Sequence, residues 1–301
     1  MDIVVFGAGS LGSLVGGLLA REHDVTLVGR DPHVSAIAGD GLSLEGEFDE
    51  TVTPRATTDG TGLRADLALV TVKSFDTETA ASTLATGSYE AVCSLQNGMG
   101  NEETLACHLE CPVLAGTATY GAVRRRPGTV TCTGVGDIVL GDRCGGPAPV
   151  ADRVGAAFEQ AGLETTVSTD MPRRLWEKLA VNAGINPIAA LADVPNGAVL
   201  EEPARTLSRT AVRETARTAR AHGVPLSNRE ALERLETVAA ATAENVASMR
   251  QDIRAGRRTE VEAITGHVRD RAREAGLDVP VTATLAALLE TWEREQAVLE
   301  E

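Results

Sequence analysis

The sequence predicts an α/β domain built on a parallel sheet over residues 1–168, followed by an all-α domain over residues 169–301. Short apolar runs alternate with helical segments as far as residue 168, which is the pattern of a parallel sheet with helices on its faces. Beyond Pro172 the strand patterns disappear, and Ala, Leu, Arg and Glu recur with helical periodicity. The chain is long enough to bury two separate cores.

A glycine-rich turn follows the first apolar run, Ile3 to Phe6, and precedes a helical segment from Leu14 to Ala20. The turn reads Gly7-Ala8-Gly9-Ser10-Leu11-Gly12, and Val25 to Val28 forms the next strand. In the G-x-G-x-x-G pattern the first glycine permits a tight turn, the second lets a pyrophosphate approach the backbone, and the third lets helix and strand pack closely. Packing alone explains three glycines at this spacing poorly. The pattern therefore predicts a Rossmann-type domain whose residues 7–12 bind a dinucleotide.

The second strand ends at Gly29-Arg30-Asp31, where the adenosine ribose of a dinucleotide would lie. An acid at this point favours the 2′-hydroxyl of NADH, whereas an arginine favours the 2′-phosphate of NADPH. Arg30 is nearer the strand end, so NADPH is favoured over NADH. The alternative is that Arg30 is only a surface charge in a loop.

Two more polar groups follow predicted strands. Lys73 comes after the strand Asp66 to Val72, and Asn97 comes after Ala91 to Leu95. Ligands gather at the carboxyl ends of parallel strands, so both residues are expected on the cofactor side, although Asn97-Gly98 also reads as a simple turn. Three further strands (113–117, 128–133 and 137–140) are expected to continue the sheet, and residues 150–161 to form a helix.

The first helix of the second half runs from Pro172 to Asn186 and carries Lys178, Asn182 and Asn186 on one stripe. Amides on such a stripe indicate a wet cleft, because a face toward bulk solvent would carry charges. Pro187 is expected to bend or end the helix. Pro195-Asn196-Gly197 predicts a turn. Only two of the 28 basic residues are lysines, Lys73 and Lys178, and both lie in these polar motifs.

Later helices carry a second group of polar residues. A helix over about 229–254 is expected to present Asn245, Ser248 and Asp252 on neighbouring turns. Thr259 and Glu262 form a capping-box pattern that would place Glu260 in the first turn of the next helix. An acid there is explained by the helix dipole alone, so Glu260 is a catalytic candidate only in combination with other groups.

The formal net charge of −15 argues against nucleic acid or an anionic membrane as a partner. No apolar run is long enough for a transmembrane helix, and a cytoplasmic protein is expected. The five cysteines are expected to be reduced; Cys107 and Cys111 are a weak candidate pair for a metal, and no metal site is expected. A sequence with 43 aspartate and glutamate residues and only two lysines is typical of proteins adapted to high salt. The three arginines at 124–126 are expected in a solvated loop.

Together these motifs resemble the 2-dehydropantoate 2-reductase (ketopantoate reductase) family. The residues that carry the resemblance are 7–12, the segment Leu95-Gln96-Asn97-Gly98-Met99-Gly100, Leu175 to Asn182, Asn186-Pro187, Pro195-Asn196-Gly197, and Glu244 to Asp252 running into Thr259-Glu260-Val261. The resemblance spans nearly the whole chain, in order and with matching spacing. It implies a Rossmann domain and a helical domain like that of 6-phosphogluconate dehydrogenase, with NADPH-dependent reduction of ketopantoate to pantoate for pantothenate and coenzyme A biosynthesis.

The resemblance also implies roles for individual residues. Lys178 would donate a proton to the keto oxygen, and Glu260 would bind the nicotinamide half and help to position Lys178. Lys73 and Ala122 would contact the cofactor, and Asn97 would touch both ligands. The groups that would hold the substrate are Asn182, Asn186, Asn196, Asn245 and Ser248.

Two other functions remain open from the sequence. Related chains reduce other 2-oxo acids, and the polar residues alone do not specify a branched substrate with a C4 hydroxyl. An NADPH-binding protein without turnover would need the glycine turn, but it would not need Lys178, Asn182, Ser248 and Glu260 together. A homodimer is plausible from the resemblance.

Overall fold

The computed structural model describes the backbone of residues 1–300 and the side chains of residues 1–297. The chain divides into two compact units. The sheet unit comprises residues 1–96 and 101–171, and the helical unit comprises residues 97–100 and the chain from residue 172 onward. The sequence places a domain boundary after residue 168 and assigns 97–100 to the first domain, whereas the structure groups these four residues with the helices.

The sheet unit contains an eight-stranded and a four-stranded sheet. The strand bounds are β1 Asp2–Phe6, β2 Asp24–Val28, β3 Leu42–Gly46, β4 Glu50–Val52, β5 Arg55–Thr57, β6 Arg64–Val70, β7 Ser88–Ser94, β8 Val113–Ala118, β9 Gly121–Arg126, β10 Thr129–Gly134, β11 Ile138–Asp142 and β12 Thr165–Val167. The larger sheet has the order β12-β11-β8-β7-β6-β1-β2-β5, and only the pair β11–β8 is antiparallel. The Rossmann-type fold predicted from the sequence is confirmed.

Five helices belong to the sheet unit: α1 Ser10–Leu19, α2 His33–Asp40, α3 Thr77–Leu84, α4 Asn101–His108 and α5 Pro149–Gln160. The central strands are apolar on both faces. In β1, Ile3 and Val5 pack into one core, while Val4 packs into a second core on the opposite face. This burial on both faces explains why the central strands read as continuous apolar runs rather than as alternating patterns.

Two predictions about the sheet are wrong. The strand predicted at 128–133 does not continue the main sheet; it is β10, in the four-stranded sheet of order β4-β3-β10-β9. The arginines at 124–126 lie in β9 rather than in a loop, although their side chains are exposed as expected. Both errors have one cause, because β10 pairs with β3 and β9 in a second sheet.

From residue 172 onward the helical unit contains α6, which spans Met171–Leu191 and so begins one residue earlier, α7 Ala204–Ala221, α8 Asn228–Ala241, α9 Ser248–Arg254, α10 His267–Glu274 and α11 Pro280–Glu300. The structure has no strand in the described residues after 171. The helix α6 does not end at Pro187 but continues to Leu191. Ile188, Ala189 and Ala190 are buried in the helical core, and this packing holds the last turn despite the missing N–H of Pro187.

The single helix predicted over about 229–254 is broken between Ala241 and Ser248, so Asn245 lies outside any helix. The carbonyl oxygens of Ala243 and Asn245 instead accept the N–H groups of Gly197 and Asn196, at 3.0 and 3.1 Å. Because these carbonyl oxygens accept hydrogen bonds from residues 196 and 197, they are not used within a continuous helix, and the helix is interrupted here.

The capping box predicted at Thr259 and Glu262 is also wrong. The Thr259 hydroxyl donates to Glu293 Oε1 at 2.5 Å, and Glu262 pairs with Arg258. A π-helical turn, Glu262–Gly266, leads into α10, so Glu260 precedes the helix rather than lying in its first turn. No helix in the described part of the chain is long and apolar enough to cross a membrane.

Candidate active site

The glycine turn of the sheet unit has the geometry of a phosphate cradle. Gly7 has φ +115°, and a Cβ there would lie 2.7 Å from the backbone nitrogen of Val72. A Cβ on Gly12 would lie 2.2 Å from the carbonyl oxygen of Gly7. By contrast, a Cβ on Gly9 would lie 3.9 Å from its nearest neighbour, and Gly9 is the N-cap residue of α1. Two glycines are thus required by packing, and the third faces open space at a helix N-terminus, where a pyrophosphate fits.

The strand β9 is fastened to this turn. The N–H of Arg124 donates to Ser10 Oγ at 3.1 Å, and its guanidinium lies 3.4 Å from the carbonyl oxygen of Ala8. Ala122, two residues earlier in β9, is half-buried against the sheet core. The structure therefore brings Ala8, Ser10 and the β9 strand together, and Leu11 packs against the same core.

Arg30, the glycine turn and Lys73 follow the carboxyl ends of three neighbouring strands, because β2, β1 and β6 are adjacent in the sheet. The Arg30 side chain is 87% exposed and lies 3.3 Å from Asp76 Oδ2. Asp31 is also exposed, and its Oδ1 accepts the N–H and hydroxyl of Ser35 in α2. An exposed arginine and an exposed carboxylate therefore both follow the end of β2.

In the helical unit, α6 carries Lys178, Asn182 and Asn186 on successive turns. Lys178 and Asn182 are half-buried, and Asn186 is 8% exposed. A buried asparagine needs hydrogen-bonding partners, so this stripe provides amide donors and acceptors together with one ammonium group along a single helix face.

Asn196 lies where the α6–α7 connection meets the α8–α9 connection. Its backbone N–H donates to Asn245, and its Nδ2 donates to Thr242 Oγ1 at 3.1 Å. Its Oδ1 is buried and has no hydrogen-bond partner. A buried acceptor left without a partner is costly, so this oxygen is a candidate acceptor for a donor from a ligand or a water molecule. Asn245 has an exposed side chain and contributes its backbone carbonyl; Ser248 is the first residue of α9 and is half-buried.

Glu260 is 5% exposed, and Asn97 Nδ2 donates to its Oε2 at 3.5 Å. The segment 97–100 is held beside Glu260 by a hydrogen bond from the Met99 N–H to the carbonyl oxygen of Ala263, at 3.0 Å. Gly98 has φ +80°, and a Cβ there would lie 2.4 Å from Ala263 Cβ. The Asn97-Gly98 dipeptide is thus a turn that also places the side-chain amide of Asn97 beside the buried carboxylate of Glu260.

Sequence reasoning missed two groups that hold these segments. Arg250, in α9, donates from Nε to Asp193 Oδ1 at 2.8 Å, and Arg254 donates to the same oxygen at 2.7 Å. Gln96, just after β7, donates a buried hydrogen bond to Thr77, the first residue of α3. The motif containing Arg250 was recognised, but a basic residue in a helical run gives no sign of a partner 57 positions away. None of the described residues form a cluster suited to a metal ion, and the five cysteines are free.

A Rossmann-type sheet with a phosphate cradle at its strand ends, followed by a helical unit that presents a lysine and amides on one helix, defines a nicotinamide-nucleotide-dependent oxidoreductase. Residues 3–145 match the model of the family described as ketopantoate reductase PanE/ApbA, and residues 170–293 match that of its C-terminal domain. The chain belongs to the ketopantoate reductase family.

Full-length relatives support this assignment. The 2-dehydropantoate 2-reductase of Halobacterium salinarum is 45% identical over 304 residues, which cover 98% of this chain and 100% of the relative. The 2-dehydropantoate 2-reductase of Pyrococcus horikoshii is 37% identical over 296 residues, covering 97% and 98%.

Solved structures show the same fold. A PanE/ApbA family ketopantoate reductase from Ralstonia eutropha JMP134 superposes with a TM-score of 0.90 at 33% identity, covering 99% of this chain and 100% of the other. A D-mandelate dehydrogenase solved with NADH and anilino(oxo)acetate gives a TM-score of 0.92, covering 99% of each chain, but at 23% identity it shows similarity of fold alone.

Proposed function

We propose that this protein is a 2-dehydropantoate 2-reductase that uses NADPH to reduce ketopantoate to (R)-pantoate, for pantothenate and coenzyme A biosynthesis. The observation that carries the proposal is the stripe on α6, where a lysine and two asparagines occupy successive turns. This arrangement joins one proton donor to a set of amides, which is what a small, polar 2-oxo acid requires. The names of the full-length relatives point to the same reaction.

In the proposed mechanism the nicotinamide ring, when bound, supplies a hydride to the carbonyl carbon of the substrate. Negative charge then grows on the carbonyl oxygen, and the Lys178 ammonium group stabilises it and donates a proton. Arginine could not serve here, because a guanidinium does not give up a proton near neutral pH. Glu260 is assigned to orient Lys178 and the nicotinamide half, with Asn97 held on its carboxylate.

Substrate binding is assigned to Asn182, Asn186, Asn196 and Ser248. The unpartnered Oδ1 of Asn196 would accept a substrate hydroxyl, and this contact would favour a 2-oxo acid that carries one. Asn245 is assigned an indirect part, because its backbone carbonyl holds the N–H of Asn196 while its side chain is exposed.

Cofactor binding is assigned to the turn at residues 7–12 and to Arg30, Lys73, Asn97, Ala122 and Glu260. NADPH is favoured over NADH because an 87% exposed arginine follows the end of β2, where a guanidinium can pair with a 2′-phosphate. We also propose a cytoplasmic location, for which the five free cysteines are evidence, since unpaired thiols persist in a reducing compartment. The proposed acidic surface and homodimer follow from charge and resemblance, respectively.

The decisive experiment is to measure NADPH consumption by the purified protein with ketopantoate, in molar potassium chloride so that an acidic fold is assayed while folded. Rapid turnover at low substrate concentration is expected, with slower turnover on 2-oxo acids that lack the C4 hydroxyl. Binding of NADPH without reduction of ketopantoate would contradict the proposed substrate and would favour a different 2-oxo acid. Binding without reduction of any 2-oxo acid would favour a nucleotide-binding protein.

A further inference from the structure

We propose that Gln96 and Thr77 are positioning residues, which lock the backbone on both sides of Lys73 and so set its ammonium group for the nucleotide. This inference rests on the proposed function in one respect, namely that Lys73 contacts the cofactor. It concerns residues of the sheet unit only, and neither Gln96 nor Thr77 is among the groups assigned to bind a ligand.

The position of Lys73 relative to the glycine turn is fixed by its neighbours. Thr71 donates its hydroxyl to the carbonyl oxygen of Gly7 at 2.9 Å, and its N–H donates to the carbonyl oxygen of Phe6, also at 2.9 Å. Val72 passes so close to Gly7 that no Cβ could be accommodated there. Lys73 is therefore the next residue along a segment that already contacts the phosphate cradle.

The carbonyl groups immediately before and after Lys73 are both held. Gln96 Nε2 donates to the carbonyl oxygen of Val72 at 3.1 Å and to Thr77 Oγ1 at 2.7 Å. Thr77 Oγ1 in turn lies 2.8 Å from the carbonyl oxygen of Ser74, to which it can donate. One amide and one hydroxyl thus connect the carbonyl groups of Val72 and Ser74, the two residues on either side of Lys73 in the sequence.

This connection is buried and directional. Gln96 is 4% exposed and Thr77 is 3% exposed, so water cannot replace either group easily. The amide of Gln96 must point its nitrogen toward Val72, because the opposite orientation would set two oxygen atoms against each other. Thr77 Oγ1 also lies 2.9 Å from Oδ1 of Asn101 at the start of α4, and because the hydroxyl has one proton it donates to either Ser74 or Asn101 at a time.

A fixed backbone matters more for lysine than for most residues, since its long side chain loses much rotamer freedom when it binds a ligand. If the backbone around Lys73 were also mobile, ordering it would cost additional free energy when the nucleotide binds, and the affinity would be lower. The hydrogen bonds from Gln96 and Thr77 order it in advance. Their loss should therefore weaken nucleotide binding through Lys73 and leave the rest of the cradle unchanged.

The test measures the dissociation constant of NADPH, by fluorescence titration, for Thr77→Val and Thr77→Ser. Valine has the shape of threonine without its hydroxyl, and serine restores the hydroxyl. Thr83→Val is the matched control, because Thr83 lies on the same helix α3 and its hydroxyl donates to the carbonyl oxygen of Thr79, away from Lys73. Each substitution is also made in a Lys73→Ala background, and thermal unfolding is recorded for all variants.

Thr77→Val is expected to raise the dissociation constant about five- to twentyfold, while Thr77→Ser and Thr83→Val stay within about twofold of the wild type. In the Lys73→Ala background, Thr77→Val should have almost no further effect on NADPH binding. Unchanged binding by Thr77→Val would overturn the inference. An equal loss with and without Lys73 would overturn it too, since the hydroxyl would then act through general stability.

The outcome is independent of the proposed substrate. If the wild type binds NADPH but does not reduce ketopantoate, the proposed function fails while the coupling between Thr77 and Lys73 still decides the inference. If ketopantoate is reduced and Thr77→Val binds NADPH normally, the inference alone fails. A wild type that binds no nicotinamide nucleotide would overturn both.

Discussion

Lys178 is the residue on which the proposed chemistry depends most directly. We expect Lys178→Met to lower kcat by about a hundredfold or more, because general acid catalysis typically contributes that much. NADPH affinity should stay nearly unchanged, and Lys178→Arg should be almost as slow as Lys178→Met, since it keeps the charge but cannot release a proton. Steady-state kinetics and NADPH titration of both variants test this, and a Lys178→Met enzyme with near wild-type kcat would exclude Lys178 as the acid.

Arg30 is the residue expected to discriminate between the two nicotinamide nucleotides. Arg30→Ala should weaken NADPH binding about tenfold or more and leave NADH binding almost unaltered, because only NADPH carries a 2′-phosphate for the guanidinium. The ratio of kcat/KM for NADPH and NADH measures the effect. Arg55→Ala is a control at an arginine in the edge strand β5, and a fall in both nucleotides' affinities with Arg30→Ala would contradict a role at the 2′-phosphate.

His33 connects α1 to the turn before β10 and is expected to make the free energy of unfolding depend on pH. Its Nδ1 accepts the N–H of Gly128 at 3.0 Å, and its Nε2 lies 2.9 Å from Ser13 Oγ. Burial, with a smaller contribution from the charge of Arg124, lowers the pKa of His33 from 6.5 to about 4. Below pH 6.5 the His33 imidazole is therefore protonated in the unfolded chain, whereas in the folded chain it stays neutral until the pH falls to about 4.

The stability contributed by neutral His33 is thus fully present above pH 6.5 and is lost as the pH falls toward 4. Between pH 7 and pH 5 the free energy of unfolding should fall by about 2 kcal/mol on account of this residue. Denaturant unfolding at the two pH values measures the fall, with His33→Gln as the variant that cannot titrate. An equally steep loss in His33→Gln would assign the dependence to other groups.

At the scale of elements, ion pairs from Arg250 and Arg254 to Asp193 connect α9 to the loop that leads to Asn196. Asp193 has φ +53°, a backbone conformation that asparagine adopts as readily as aspartate, so Asp193→Asn changes the charge and leaves the local geometry acceptable. The Arg250 side chain is only 8% exposed and would lose its charged partner. Hydrogen bonds from Arg254 and Arg250 lower the pKa of Asp193 to about 2, so the pairs persist at every pH used in an assay.

We expect Asp193→Asn to raise the KM for ketopantoate about three- to tenfold, because the segments carrying Asn196 and Ser248 lose their common anchor. NADPH affinity should not change. Asp270→Asn, which removes a surface carboxylate paired with Arg269 in α10, is the matched control. Steady-state kinetics for both substrates measure the outcome, and a parallel loss of NADPH affinity would contradict a role confined to the substrate segments.

Which elements the sequence revealed depended on how local their determinants are. The unit β1–α1–β2 was predicted because its apolar runs and three glycines lie within 28 residues, and the stripe on α6 was predicted because helical spacing alone defines it. The four-stranded sheet was missed because Thr129 pairs with Ser43 across a long stretch of chain, and the exposed arginines of β9 do not resemble a buried strand.

The errors around the site have the same origin. The α8–α9 break depends on N–H groups at 196 and 197, and the N–H and hydroxyl of Thr259, the predicted cap, donate to Glu293, 34 residues further along the chain. No local pattern records such partners. The residue types of the candidate site were accessible from the sequence, whereas the groups that hold them, such as Arg250 and Gln96, became visible only through their hydrogen bonds in the folded chain.

At the scale of the whole molecule, two opposing electrostatic effects decide how the protein responds to salt. The excess of carboxylates, which gives the net charge of −15, destabilises the compact state because these groups repel one another, and salt screens this repulsion. Salt also weakens the arginine–carboxylate pairs on the surface, such as Arg229–Glu233 and Arg258–Glu262. Exposed pairs of this kind contribute only about 0–1 kcal/mol each, so the relief of repulsion should dominate.

We therefore expect the midpoint of thermal unfolding to rise by at least about 5 °C between 0.1 and 2 M potassium chloride, a range over which the Debye length falls from about 10 Å to below 3 Å. Most of the rise should come below about 0.5 M, because screening saturates once the Debye length is shorter than the spacing between surface charges. Sorbitol at equal osmolality is the control for solvent exclusion. A constant or falling midpoint would mean that the arginine pairs outweigh the repulsion, and a rise that continues linearly to 2 M would assign the effect to salting-out of apolar surface instead.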